Sequence, residues 1–302
     1  MATLSTLRRK EARQGYAFIS LWIIGLVFFG LGPIIASAFL GFTHYDIASP
    51  PTWIGLQNYR HMLQSPLFWQ SLKVTAIYTI VTVPLGILLG IILAIMLNSQ
   101  VKGLRFFRTA YYMPAVVSGV AVAALWGWIY NPDYGPLNAM LKAVGITGPA
   151  WLESTHWVLP ALIIMALWAV GGSMIIYLAA LQQVPSTLYE AARIDGASPL
   201  RLHVSITFPM ISPVIFFMLV NGIIGTFQVF TQAYVMTNGG PGYSSYFFIL
   251  YLYDNAFSYF KMGYAAALAW ALFVAIFLVT VLLFWSAKYW VYYEDASLWK
   301  GE

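Results

Sequence analysis

Residues 74–101 read VTAIYTIVTVPLGILLGIILAIMLNSQV and contain no Asp, Glu, Lys or Arg. A helix needs roughly 20 residues to cross the hydrocarbon layer of a bilayer, so this run is long enough to span one. Five further windows share the property, at 14–45, 109–132, 154–189, 202–253 and 262–287. They predict six transmembrane helices. Long continuous apolar runs argue against a β-barrel, whose strands alternate over segments of about 10 residues.

The composition agrees with the windows. Of 302 residues, 61% are apolar and 8% charged, against roughly 25% charge in an ordinary soluble domain. The net charge of +5 does not indicate nucleic acid, because the basic residues mark the ends of apolar segments and do not gather on a solvated face. Absence of cysteine excludes disulfides and thiolate metal sites. The first apolar run, 16–40, is longer than a signal-peptide core and lacks a clear small-residue cleavage pattern, so it reads as a retained helix.

The spans are predicted near 17–41, 70–97, 110–130, 157–181, 206–236 and 264–287. Turn formers at 237–245, TNGGPGYSS, end the fifth, and FFILYLY at 247–253 is too short to cross and reads as interfacial or re-entrant. With the N-terminus inside, the cytoplasmic side receives every Lys and Arg except Arg60, Lys73, Lys142 and Lys261. That excess sets the orientation and puts both termini in the cytoplasm. Trp53, Trp128, Trp151 and Trp157 fall near span ends and read as interfacial anchors. Gly86 and Gly90 have a spacing that permits close helix packing.

Between the fourth and fifth spans, residues 184–209 read VPSTLYEAARIDGASPLRLHVSITFP. Thr187 and Glu190 have capping-box spacing, Gly196 supplies a stop, and Ser198 followed by Pro199 starts a second helix. A helix this short is marginal alone and needs a surface to pack against. Asp195 sits where the helix dipole disfavours an anion, and Ala191 and Ala192 present a low profile, so a basic protein partner would fit. A plain connection resting on headgroups through Arg193 and Arg201 is the alternative on physical grounds.

The same segment is similar to the EAA motif of ABC importer permeases, in which Glu-Ala-Ala is followed by three residues, Gly, nine residues, Ile, one residue, Leu and Pro. Here Glu190, Ala191, Ala192, Gly196, Ile206, Phe208 and Pro209 occupy the pattern, with Asp195 also present and Phe208 replacing leucine. His203 and Leu200 depart from the aromatic residues common at those positions and are expected to face the partner or the core. MTNGGPG at 236–242, YLYDNAF at 251–257, GYAAA at 263–267, IGLQNY at 54–59 and FFRTAYYMPAVVS at 106–118 resemble the sugar and glycerol-phosphate uptake branch.

The resemblance implies an all-α polytopic membrane protein with the type I ABC importer permease fold, in a bacterial or archaeal inner membrane. It implies a cytoplasmic tail at 1–16, a permease domain at 17–290 with a coupling loop at 182–205, and a cytoplasmic tail at 291–302. In that family the loop docks on an ATP-binding subunit, which assigns coupling to Glu190, Ala191, Ala192, Arg193, Asp195 and Gly196. The implied partners are a second permease, two ATP-binding subunits holding ATP and Mg, and an extracytoplasmic solute-binding protein. This chain itself is expected to bind no cofactor.

Pro199 and Pro209, with Pro213, should fix how the loop enters the fifth span. Buried amides are costly in lipid unless they face protein, water or ligand, so Asn221, Gln228, Thr231, Gln232 and Tyr234 are the substrate-pathway candidates. Gln228 and Gln232 are expected on one helical face, with Phe227, Phe230 or Trp270 available to stack on a sugar ring. A glycerol-phosphate or polyol importer is the alternative solute reading. A self-contained secondary transporter is more remote, since no ionisable group falls inside the windows. Four histidines, His44, His61, His156 and His203, are scattered over loops, so neither a metal centre nor a catalytic site is expected.

Overall fold

The computed structural model describes residues 2–99 and 102–293, with residues 2–7 as backbone only. Most of the expected C-terminal tail, from 294 onward and including Lys300, therefore lies outside the described residues. The chain divides into two compact units. One comprises the residues up to Ser65 together with Leu252–Leu272, and the other comprises Pro66–Tyr251 and the chain from Phe273 onward.

In the first unit, helix α1 (Ala2–Gly25), a π-helical turn at Leu26–Leu31 and α2 (Gly32–Leu40) form a single apolar run, Arg8–Leu40. Helical backbone thus begins well before the predicted residue 17. Pro33 lacks the N–H that would bond the carbonyl four residues back, Phe29, and the wide turn covers that gap. A short antiparallel hairpin comes next, β1 (Thr43–His44) against β2 (Thr52–Trp53). In its loop Asp46 Oδ1 accepts from Ser49 N–H at 3.0 Å and Ser49 Oγ–H at 2.6 Å, and these bonds lower the carboxyl pKa. Helix α3 (Gln57–Gln64) is tied to the hairpin by Asn58, whose Nδ2 donates to Gly41 O at 3.0 Å and Thr43 O at 2.9 Å.

The second unit is organised around α4 (Pro66–Leu97), which is continuous despite Pro84. Next come α5 (Leu104–Val116) and α6 (Gly119–Ile129), which meet at 99°, then α7 (Pro136–Ala143). Helices α8 (Val158–Trp168) and α9 (Gly171–Gln183) meet at 46°. The short α10 (Ser186–Ile194) leads to α11 (Pro199–Leu202), a π turn at His203–Thr207 and α12 (Phe208–Phe227). A π turn at Ala233–Thr237 and α13 (Phe248–Tyr253) precede α14 (Met262–Trp290), the final long apolar helix. Among the described residues, four helices are long and apolar enough to span a membrane, and there are up to six spans if each bent pair is one.

Besides the first span, the third, fourth and fifth need correction, the fourth, 157–181, being bent by 46° between Trp168 and Gly171. The third span, 110–130, is broken at Val117 and Ser118: β-branched Val116 and Val117 disfavour helix, and Ser118 restarts it by accepting from Ala121 N–H at 3.4 Å. The fifth span, 206–236, stops at Phe227 and begins earlier, since Pro199–Phe227 is one apolar run. The segment 247–253, too short to cross, packs within the protein. Phe247, Phe248, Leu250 and Tyr251 are buried, and Phe248 N–H donates to Thr75 Oγ1 at 2.9 Å.

Ile91, Ala94 and Leu97 of α4 pack with Met174, Tyr177 and Leu178 of α9 and Ile211 of α12. Lipid is as apolar as this interior, so close van der Waals fit has to hold these helices together. Gly90 supplies it. A Cβ there would lie 2.9 Å from Ser173 Oγ and from the Tyr177 ring, whereas at Gly86 it would make only an ordinary contact with Leu167. Trp151, expected as an interfacial anchor, is instead buried beside Tyr130, with its Nε1 donating to Asn138 Oδ1 at 2.8 Å. Trp53, Trp128 and Trp157 are exposed.

Candidate functional site

The predicted residues fall in two regions of the second unit. The first is the connection from α9 to α12. Helix α10 has Pro185 as its N-cap, with no side-chain acceptor, so the predicted capping box does not form. Proline in an extended conformation lets the helix start directly at Ser186, which carries Thr187 past the cap into the first turn.

The end of α10 agrees with the sequence reading. Gly196 has φ +77°, its N–H bonds Arg193 O at 3.1 Å, and Ala197 N–H bonds Ala192 O at 2.9 Å. These paired bonds are a Schellman stop, which requires the left-handed residue that glycine supplies. Ser198 Oγ then accepts from Arg201 N–H at 3.4 Å, with Pro199 at the first helical position. Glu190, Ala191, Arg193, Asp195 and Gly196 are exposed, and Ala192 is half-buried.

Two large aliphatic side chains of this connection are uncovered: Ile194 is 87% exposed and Leu200 73% exposed. Ile194 escaped the sequence reading because an apolar residue three places after Ala191 reads as the buried side of an amphipathic turn. Leu200 faces outward, and His203 faces inward. His203 Nδ1 lies 3.2 Å from Thr207 Oγ1, and the Tyr189 hydroxyl lies 3.0 Å from the same atom. A cavity of about 590 Å³ opens beside them, with Asn98, Glu190 and Arg193 also in its walls.

Each of the three prolines sits at a helix start or beside a rearranged hydrogen bond. Pro199 starts the helix, and Pro209 comes after a π turn closed by Phe208 N–H to His203 O. Pro213 cannot donate to Pro209 O, four residues back; the Ser212 hydroxyl does so instead at 2.7 Å and accepts from Tyr292 N–H at 2.8 Å.

The second region lies where two helical interruptions meet. A Cβ on Gly119 would lie 3.7 Å from Thr231 Cγ2 and 4.0 Å from Gln232 Nε2, so the restart of α6 rests on the restart after α12. Irregular backbone within apolar segments is tolerated only against protein or a wet cavity. The shared helical face expected for Gln228 and Gln232 does not exist, because α12 ends at Phe227 and Gln228 has left helical geometry. Gln228 is exposed, while Thr231 and Gln232 are half-buried. Asn221 Nδ2 donates to Phe217 O at 2.8 Å, within its own helix. Tyr234 stacks on Phe230 at 5.2 Å between ring centres. Phe227 is buried and so is not poised as a stacking platform, and in the first unit Trp270 donates to Ser37 Oγ at 3.2 Å.

The described residues thus make an apolar, helical, multi-pass chain with an exposed, capped helical turn between the helices of its fourth and fifth spans. The chain belongs to the family of binding-protein-dependent transport system inner membrane components, which it matches over residues 86–291. It is 43% identical over 292 residues to the probable ABC transporter permease protein YesP of Bacillus subtilis (strain 168), covering 95% of this chain and 94% of that one. It is 34% identical over 297 residues to the lactose transport system permease protein LacF of Rhizobium radiobacter, covering 95% and 99%. In fold it is similar to a chain of the crystal structure of a bacterial alginate ABC transporter in complex with an alginate pentasaccharide-bound periplasmic protein. That match has a TM-score of 0.83 at 24% identity and covers 92% of this chain and 95% of that one. The chain therefore has the type I importer permease fold and a multi-pass inner-membrane location.

Proposed function

We propose that this chain is one membrane subunit of an ATP-driven importer for a sugar or oligosaccharide, and that α10 with the turn at 195–198 receives the movement of an ATP-binding subunit. The observation that carries this reading is the exposure of that loop, on which Ile194 and Leu200 are uncovered as well as Glu190 and Arg193. Full burial of two such aliphatic side chains contributes about 3–6 kcal/mol, whereas a surface ion pair contributes about 0–1 kcal/mol. Docking is therefore driven by the aliphatic pair, and the charges set orientation. ATP and Mg belong to the partner subunits, and this chain performs no hydrolysis.

The relative named for lactose supports a hydroxyl-rich solute, as do the neutral amides at the helix interruptions. Gln228, Thr231 and Gln232 form the solute-facing group, with Tyr234 beside them. Asn221, exposed in α12, is a further candidate, since its bond to Phe217 O uses one of its two amide N–H groups. A second permease completes the pathway, and an extracytoplasmic binding protein delivers the solute.

Affinity purification of this chain from native membranes tests the assembly, and uptake of a panel of oligosaccharides, polyols and glycerol phosphate by the reconstituted complex tests the solute. Recovery with an ATPase and a second permease, with uptake confined to saccharides, is expected. Recovery of the chain alone, with uptake independent of ATP, would point to the secondary-transporter reading.

A further inference from the structure

The coupling loop is attached to the fifth helix at two points. The first is the turn at 195–198, which swings on Gly196 in its left-handed conformation. The second is the Tyr189 hydroxyl, 3.0 Å from Thr207 Oγ1 across 18 residues of chain. Tyr189 lies near the middle of α10, and Thr207 ends the π turn from which α12 continues into the membrane. A helix joined to a lever by a glycine turn alone can pivot about it. A second bond, away from the turn, closes a triangle of α10, α11 and the π turn and removes the pivot.

Thr207 is built for this bond. It is 1% exposed, and its hydroxyl has one proton and two lone pairs for three neighbours: Tyr189 Oη, His203 Nδ1 at 3.2 Å and Leu202 O at 3.5 Å. The carbonyl of Leu202 can only accept and lies at the outer limit of bonding distance. With Tyr189 donating to Thr207, the threonine proton is left for His203 Nδ1 or Leu202 O, and the set is satisfied. The π turn contributes through register. One extra residue in a helical turn rotates the downstream helix by about 100°, and Pro209, unable to donate to Ser205 O, favours the widened turn just before it.

We propose that Tyr189 is a positioning residue for transport: its bond to Thr207 locks α10 to the root of the fifth helix, so that displacement of α10 by an ATPase moves α12 and is not absorbed at Gly196. The proposal rests on the reading of α10 as the ATPase-docking helix. It assigns a role to the inward side of α10, which the docking surface leaves unexplained.

The chain has no cysteine, so one introduced thiol reports on it cleanly. In the assembled complex, a Gly225→Cys thiol in the last turn of α12, an exposed position where a Cβ meets nothing within 4 Å, is labelled with a fluorescent maleimide, with and without ATP and Mg. ATP is expected to change the labelling rate in the otherwise natural chain. Adding Tyr189→Phe or Thr207→Val is expected to reduce that ATP-dependent change about two- to tenfold, the range that loss of one neutral hydrogen bond allows. ATPase rate and recovery of the complex should persist. Thr207→Ser keeps the hydroxyl and should restore the response, and the double variant Tyr189→Phe with Thr207→Val should be no worse than either single one.

An undiminished response in Tyr189→Phe overturns the proposal and leaves the docking reading intact. So does an effect confined to the yield of complex. Absence of any ATP response when Tyr189 is present, in a complex that hydrolyses ATP, overturns the coupling reading together with the proposal.

Discussion

The backbone of Gly171, at the start of α9, lies directly on the carbonyl of Tyr111 in α5, with no room for a Cβ between them. This contact joins the first half of the broken third span to the second half of the bent fourth. Gly171→Ala would force backbone against backbone, and overpacking of that kind costs about 1–3 kcal/mol. The thermal midpoint of the purified protein should fall. Gly127→Ala is the matching control, because a Cβ at Gly127 meets nothing within 4 Å and alanine favours helix by about 1 kcal/mol. An equal loss in both variants would remove Gly171 from this role.

Docking through α10 predicts an order of effects. Ile194→Asp places a charge where an 87% exposed aliphatic side chain is proposed to be covered, and should lower recovery of the ATPase with this chain by tenfold or more. Glu190→Gln removes a charge from an exposed position and should cost about threefold or less. Quantitative co-purification from membranes reads both. If Glu190→Gln is the more damaging, an ion pair and not apolar burial dominates the interface.

The loop at 184–209 was legible in the sequence because its determinants are local. Gly196 ends α10 through its own backbone, and Ser198 and Pro199 start the next helix within two residues. Windows of uncharged sequence likewise located all six apolar segments. They could not reveal the corner at Val117 and Ser118, since hydropathy is blind to backbone direction; the local signal there was a β-branched pair followed by Ser118 and Gly119. The Tyr189 to Thr207 bond was hidden for another reason. It depends on a π turn, which shifts helical phase; Pro209 just after it was the local signal, but a proline does not by itself say where the extra residue falls.

The same phase problem bears on the solute pathway. Because α12 ends at Phe227, Gln228 and Gln232 are positioned independently, and their substitutions should not behave alike. Gln232 lies against Gly119, so Gln232→Ala should alter both the KM and the kcat of uptake by loosening the contact between two interruptions. Gln228 is exposed at the helix end, and Gln228→Ala should raise KM with little change in kcat. Uptake kinetics in the reconstituted complex separate the two, and wild-type values for both would exclude them from the pathway.

Two buried tyrosines provide the last test, because they differ in one bond. The Tyr130 hydroxyl donates to Ala161 O at 2.8 Å, whereas that of Tyr177 is buried with no hydrogen-bond partner. An intramolecular hydrogen bond contributes about 0.5–1.5 kcal/mol, and a buried unsatisfied hydroxyl costs about 1–3 kcal/mol. Removing each hydroxyl should therefore act in opposite directions: Tyr130→Phe lowers the thermal midpoint, and Tyr177→Phe leaves it unchanged or raises it. Shape hardly changes in either case, so packing against Gly90 and Trp151 is retained and the polar contribution is isolated. A fall in both variants would mean that the Tyr177 hydroxyl finds a partner in the assembled membrane complex. The 2.9 Å clearance between its ring and a Cβ at Gly90 leaves little room for that partner on the α4 side.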